Sequence, residues 1–123
     1  MTKTEQWVES YRSGTDGEIK AALKTFYKME YWQELHIALW TWLSINGERG
    51  KREWFKKFDV PEVTSYCFAC EAAKKECVNC PMERNRFGWC ANGIFLDWRG
   101  TDDKTKRAEL ARKIAEMEWH GQK

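Results

Sequence analysis

The sequence predicts a small, mainly α-helical domain with a cysteine zinc-binding module and at most one short β element. Three observations support this prediction. Apolar residues recur at spacings of three and four along the first half of the chain. Helix start and stop signals separate those runs. In the second half, five cysteines fall between Cys67 and Cys90, which is the density expected of a metal site.

Composition limits the classes to which the chain can belong. Its 123 residues fit one domain, and 42% hydrophobic residues with eight tryptophans can build a modest core. The 15% aromatic content argues against disorder, although 33% of the residues are charged. A net charge of +2 excludes an acidic DNA mimic and a strongly basic nucleic-acid binder.

Nothing in the sequence predicts a membrane span or a signal peptide. No apolar run approaches the roughly 20 residues that a spanning helix needs. The first residues, Met1 to Glu9, are polar and lack the apolar stretch of a secretory signal. We therefore expect a cytoplasmic protein, in which thiols stay reduced and clustered cysteines indicate metal rather than disulfides.

The predicted helical part spans residues 15–60 and follows a leader, residues 1–14, that we expect to be loosely held. It begins at Thr15-Asp16-Gly17-Glu18, a capping box in which the threonine and glutamate side chains bond each other's backbone N–H groups. The apolar face of the helix that follows is marked by Ile19, Leu23 and Phe26.

A second apolar stripe follows, typical of one buried helix face. Its members are Trp32, Leu35, Leu39, Trp42 and Ile45. Asn46-Gly47 should end this helix, because both residues tolerate the left-handed conformation of a helix cap. Residues 16–45 then form either one bent helix or two helices.

A short helix is predicted between Gly50 and Lys57, with Trp54 and Phe58 four positions apart on one face. Val60-Pro61 should end it, because the residue before a proline avoids helical angles.

The predicted zinc-binding module occupies residues 61–100, and the C-terminal helix occupies residues 101–119. The apolar piece from Gly93 to Trp98 fits a short strand or a turn of helix. Thr101 can cap the last helix, whose apolar face would consist of Ala108, Ala111, Ile114 and Ala115.

The cysteine pattern is a strong metal-binding signal. It reads Cys67-Phe68-Ala69-Cys70, six further residues, Cys77-Val78-Asn79-Cys80-Pro81, and then Cys90. A Cys-x-x-Cys turn delivers two sulfurs from one tight bend, and four sulfurs complete a tetrahedral zinc shell. Five candidates exceed four positions, so four of the following five would bind: Cys67, Cys70, Cys77, Cys80 and Cys90.

The zinc should be structural, because four thiolates close the coordination shell and leave no position for a reacting water. Three alternatives are weaker. Cys80-Pro81 resembles the end of a ferredoxin-type iron–sulfur run, but the spacing departs from that run after the first pair. A redox dithiol needs only one pair, and five buried unpaired cysteines would have no packing reason to cluster.

Few other residues suggest chemistry, so an enzyme is disfavoured and no small-molecule substrate is expected. His36 fits the edge of the core better than a ligand or base, and His120 should be exposed near the terminus. Glu30 and Glu34 lie four apart, as paired carboxylates do, although solvation of a helix surface explains them equally well.

Two further features bear on binding. The segment from Lys51 to Phe58 mixes basic and aromatic residues, as single-stranded nucleic-acid sites do. Charges of both signs interleave there, which is more typical of a solvated face.

Among the tryptophans, four fit internal positions (Trp32, Trp42, Trp54 and Trp98), and four have weaker claims to the core and suit an interface (Trp7, Trp40, Trp89 and Trp119).

Several motifs together point to a family. They are Tyr66-Cys67-Phe68-Ala69-Cys70-Glu71, Cys77-x-x-Cys80-Pro81-Met82, Trp89-Cys90, Gly93-Ile94-Phe95-x-x-Trp98, the run from Ala108 to Ala115 with Trp119, and upstream Tyr31-Trp32-x-x-Leu35 with Trp54. Over roughly residues 30–119 the chain resembles a group of small proteins encoded by phages and prophages of Gram-positive bacteria. In that group the five cysteines look like a shared zinc set.

The resemblance implies a setting in the host cell cytoplasm. Small accessory phage proteins of this kind often act against host defences, and some inhibit RNA-guided DNA nucleases, the CRISPR effectors. The expected partner is then a host protein, and the leading candidate is a CRISPR effector whose loading with target DNA is blocked. The alternative is a nucleic-acid-binding zinc module with a regulatory role.

Overall fold

The structure is a computed structural model of the chain, and it describes residues 2–61 and 94–116. Six helices make up these residues, and no strand occurs among them, which confirms the mainly α-helical prediction. The helices are α1 (Lys3–Ser13), α2 (Asp16–Lys28), α3 (Trp32–Ile45), α4 (Lys51–Lys57), α5 (Ile94–Gly100) and α6 (Lys104–Ala115).

The prediction of a loose leader over residues 1–14 is wrong, because Lys3–Ser13 forms α1. Thr2 caps this helix: its hydroxyl oxygen accepts from the Glu5 N–H at 3.1 Å, and the Glu5 carboxylate accepts from the Thr2 N–H at 3.0 Å. Trp7 is buried on the core side of α1, which packs against α3. The N-terminal segment therefore forms a capped helix that contributes to the core.

Residues 16–45 form two helices, and a chain reversal at Glu30 separates them. The Glu30 N–H donates to the Tyr27 carbonyl at 3.1 Å, and the Tyr31 N–H donates to the Phe26 carbonyl at 2.9 Å. This pair of bonds is a Schellman motif, which places its central residue in the left-handed region. Glu30 has φ 58° there, at a position where glycine is usual.

Helix α3 lies at the centre of the described fold and packs against α1, α2, α4 and α6. Every residue from Leu35 to Leu43 is buried. The predicted single stripe is therefore too narrow, since a helix surrounded by other helices buries all its faces. The prediction is also wrong for the last residue of the stripe, because Ile45 is 49% exposed.

Gly47 follows α3 at a point where the backbone passes close to the backbone of Lys104 in α6. A Cβ atom at Gly47 would collide with the Lys104 carbonyl oxygen and would lie 3.2 Å from the Ala108 Cβ. The Asn46 side chain caps α3 by donating to the Trp42 carbonyl at 2.9 Å. Asn46-Gly47 ends the helix as expected, but Asn46 has φ −117°, so a left-handed cap is not the reason.

Helix α4 ends before Val60-Pro61, which corrects the predicted stop. Asp59 has φ 54°, and it occupies a second Schellman motif in which the Val60 N–H donates to the Phe55 carbonyl at 3.0 Å. Phe55 and Val60 are both buried, as the apolar contact of this motif requires.

The apolar piece before Gly100 adopts the helical alternative, as α5. Its Trp98 is buried against Trp40 in an edge-to-face pair with ring centroids 4.8 Å apart. The cap of α6 is Asp103 rather than Thr101, because the Asp103 carboxylate accepts from the Thr105 N–H at 2.9 Å. A carboxylate also suits the positive end of the helix dipole better than a hydroxyl.

Within the described ranges, no helix is both long enough and apolar enough to cross a membrane.

Candidate functional site

All five predicted zinc ligands, Cys67, Cys70, Cys77, Cys80 and Cys90, lie outside the described residues. Among residues 2–61 and 94–116, no three His, Cys, Asp or Glu side chains are grouped closely enough to hold a metal ion. The zinc site therefore stays a prediction. Its support is the chemistry of the donors, since cysteine thiolates are the preferred ligands of structural zinc.

His36 is fully buried between α3 and α6, deeper than the core edge that we predicted. Its Nε2 donates to the Ile114 carbonyl oxygen at 2.9 Å. Burial lowers the pKa of His36 to about 4, because the charged imidazolium loses its hydration, and the bond to Ile114 only partly opposes this shift. The ring is neutral near pH 7 and joins two helices.

Glu30 and Glu34 do not form a carboxylate pair on one helix face. Glu30 occupies the reversal before α3, and its side chain points into solvent as an exposed residue. The Glu34 carboxylate lies 2.6 Å from Lys3 Nζ and accepts from Trp7 Nε1 at 3.5 Å. These contacts tie α3 to α1, so Glu34 has a structural role.

The aromatic rings of the basic–aromatic segment are turned into the core. Trp54 is 0% exposed, Phe58 is 1% exposed and Phe55 is also buried. Trp54 Nε1 donates to the Tyr11 hydroxyl oxygen at 3.1 Å, which fixes the indole across the interface with α1. Base stacking requires an accessible ring face. In this structure the segment offers basic side chains to solvent without their aromatic neighbours.

Trp7 and Trp40, for which we predicted weaker claims to the core, are both buried. Trp32, which fitted an internal position, is only partly buried against the core. The helical spacing around Trp40 did not reveal its burial, because α3 is enclosed on several sides. Trp89 and Trp119 lie outside the described residues.

The role of Tyr11 was not predicted from the sequence, because Tyr11 lies in the supposed leader. Its hydroxyl donates to the Ala38 carbonyl at 2.7 Å and accepts from Trp54. Burial raises the pKa of this phenol far above its usual value. Tyr11 therefore links α1, α3 and α4 as a neutral group. The signal that could have located it was Thr2-Lys3-Thr4-Glu5, a second capping box.

An open groove of about 500 Å³ runs between α1 and α2. Its apolar surface comes from Trp7, Ile19 and Phe26, and the Trp7 and Phe26 rings meet edge to face at 6.2 Å. Polar groups from both helices line its sides. Pockets of this size accept small ligands or side chains of a partner.

Three carboxylates and one ammonium group line this groove. Glu9, Glu18 and Glu34 oppose Lys3, which is already paired with Glu34. Hydrogen bonds from the Thr15 backbone and side chain lower the pKa of Glu18, so that carboxylate is ionised at neutral pH. The groove is therefore acidic on a chain whose net charge is +2.

Comparison with protein-family models, with curated proteins and with solved structures finds no match to this chain.

Proposed function

We propose that this protein is a zinc-containing interaction protein that acts by binding another protein. In this proposal the partner is a host defence nuclease of the RNA-guided CRISPR class, and one copy of the protein blocks the loading of target DNA on one nuclease. The zinc ion, held by four of the five cysteines, braces the second half of the chain and takes no part in chemistry.

A protein partner is favoured over a nucleic acid because the rings of Trp54, Phe55 and Phe58 are buried. The segment Lys51 to Phe58 was the best sequence candidate for a nucleic-acid site, and such a site uses rings for stacking and cations for phosphates. With its rings in the core, only the cations remain. A net charge of +2 then gives little general attraction to phosphate.

The described titratable groups with displaced pKa values also support a binding protein. His36 donates to Ile114, and Tyr11 bonds Ala38 and Trp54. Glu5, Glu18 and Glu53 each serve a helix N-terminus, where hydrogen bonds lower their pKa values. Perturbed pKa values often mark active sites, but here each has a structural explanation.

A defence nuclease as the partner is supported separately, by the resemblance of the cysteine segment to small phage and prophage proteins. A near-neutral domain suits a stoichiometric blocker that docks on a lobe of the nuclease. Because it is not acidic overall, it should not imitate DNA in the nucleic-acid channel.

An order-of-addition assay tests this function. The zinc-loaded protein is added to an RNA-guided nuclease either before or after its target DNA, at increasing molar ratios. We expect cleavage to stop at one equivalent when the protein is added first, and to continue when the DNA is added first. Cleavage that is unaffected in both orders contradicts the proposal.

A salt series separates protein binding from the nucleic-acid alternative. Phosphate contacts release counterions, so binding to nucleic acid weakens steeply between low and moderate salt. A protein interface with an apolar centre changes little over the same range. Steep loss of binding would favour the regulatory nucleic-acid module.

A further inference from the structure

We propose that the groove between α1 and α2 is a docking site for a basic segment of the protein partner, with an arginine or lysine side chain held in the groove. This inference rests on the proposed function, because it takes the partner to be a protein. It adds the contact face and the chemistry of the segment that this face recognises.

Charge complementarity identifies the occupant as cationic. The groove presents Glu9, Glu18 and Glu34 against Lys3 alone, and Lys3 is engaged by Glu34. Within the described part of the chain, the hydrogen bonds of the Glu18 side chain use only its Oε1 atom, which accepts from Thr15. Those of Glu9 use only its Oε1 atom, for Ser13. One carboxylate oxygen on each side wall is thus left to accept from a partner's cation.

The apolar surface of the groove favours a long side chain over a simple cation. The partly buried Phe26 ring lines the groove together with the small exposed parts of Trp7 and Ile19. The methylene stem of arginine or lysine can pack along this surface while its charged end reaches the carboxylates. A small inorganic cation would leave this apolar surface unused.

The aromatic surface continues out of the groove. The Phe26 ring lies 6.1 Å from the Tyr31 ring, and Tyr31 is 47% exposed. Met29, two positions before Tyr31, is 54% exposed on the same chain reversal. Exposed aromatic and methionine side chains are typical of interface centres. An apolar residue of the partner segment, beside its cation, can therefore pack on this reversal.

A peptide titration followed by NMR tests the groove directly. The probe is a short amidated peptide of alanine, leucine and arginine, and its counterpart carries glutamate in place of arginine. We expect the arginine peptide to shift the Trp7 indole N–H and the amides of Ser10 and Ser13, and the glutamate peptide to shift none of them. Shifts scattered over the other helices, or equal shifts with both peptides, overturn the proposal.

Matched variants locate the contact. Glu9→Arg reverses a groove charge without touching a capping box or the Lys3 pair, and it should weaken the arginine peptide by about tenfold. Glu48→Arg makes the same charge reversal after the C-terminal end of α3. Glu48 is exposed there, and its Oε1 lies 3.7 Å from Arg49 Nε. This variant should leave the affinity unchanged. Equal weakening by both variants indicates general electrostatic attraction and overturns the site.

Binding of the nuclease by the wild-type protein and by the two variants distinguishes a failure of this inference from a failure of the proposed function. If the wild-type protein binds its nuclease and Glu9→Arg binds it equally well, the groove is not the contact and the proposed function still holds. If Glu9→Arg loses the nuclease while Glu48→Arg retains it, the groove is the contact. If the wild-type protein binds no nuclease, the proposed function fails, and the peptide titration alone decides whether the groove accepts a cation.

Discussion

The guanidinium group of Arg107 lies over the ring of Trp98, 4.3 Å from its centroid, and donates to the Trp98 carbonyl oxygen at 3.1 Å. The same group donates to the Gly47 carbonyl at 2.9 Å and to the Arg49 carbonyl at 3.1 Å. One side chain of α6 therefore holds α5 and the α3–α4 connection together. Three carbonyls and a ring face suit the planar fork of arginine, which lysine cannot reproduce.

Replacing Arg107 by lysine should destabilise the fold, because one ammonium group cannot reach three carbonyls in a plane. We expect a loss of about 2 kcal/mol in the free energy of unfolding, measured by urea denaturation. Arg112→Lys is the control, since Arg112 makes a surface pair with Glu116 on the same helix. Such pairs contribute only about 0.5 kcal/mol, so equal losses would contradict this account of Arg107.

Glu30→Gly should stabilise the protein. Glu30 holds φ 58° in the Schellman motif, where a Cβ atom costs about 1 kcal/mol that glycine avoids. The midpoint of thermal unfolding should rise by about 4 °C. Asp59→Gly makes the same change at φ 54° but should gain less, because aspartate tolerates the left-handed region better than glutamate. A lower midpoint for Glu30→Gly would show that the side chain contributes more than its backbone strain costs.

His36 should make stability depend on pH in mildly acidic solution. Its pKa is about 4 in the folded chain, below the value near 6.5 in the unfolded chain, so the unfolded state binds the proton first. Stability is thus fully present above about pH 6.5 and falls as the pH drops toward the folded pKa, by about 2 kcal/mol between pH 7 and pH 5.

Denaturation of matched histidine variants checks the origin of this slope. His36→Gln keeps a side-chain N–H donor and removes the titration, so its stability should be nearly flat over the same pH interval. His120→Gln, the same change at the other histidine of the chain, should keep the full pH dependence of the parent, because this account assigns that dependence to His36. A parent slope that survives His36→Gln assigns the effect to other groups.

Replacing Cys67 or Cys70 by serine should remove the zinc and sharply lower the thermal midpoint, because serine lacks the thiolate that zinc prefers and metal binding contributes to folding. Metal content by mass spectrometry and thermal unfolding would both be measured. Chelation of the parent should give the same low midpoint. A variant that retains zinc and unfolds like the parent would contradict a structural site at these residues.

Local signals in the sequence predicted most helix positions correctly. The capping box at Thr15 and Glu18 forms as expected, and α4 lies where Trp54 and Phe58 indicated. The same logic applied to Thr2 and Glu5 would have found α1, which the polar composition of its surface concealed.

Tertiary contacts explain what local signals could not supply. Periodicity assigned α3 one buried face, yet Trp40 is buried because α6 and α5 cover another side. The groove depends on the approach of α1 to α2, and a helix in the supposed leader was not expected. The contacts of Arg107 join carbonyls 58 and 60 positions away, and no spacing rule covers such a distance.

The central claim is that this chain acts by binding a defence nuclease, and a tagged pull-down from host lysate tests it most directly. The zinc-loaded protein is used, with and without nuclease treatment, and the recovered material is identified by mass spectrometry. The account predicts a stoichiometric RNA-guided nuclease that remains bound after the treatment. Recovery of nucleic acid alone, or of proteins that are lost when the nucleic acid is digested, would contradict it.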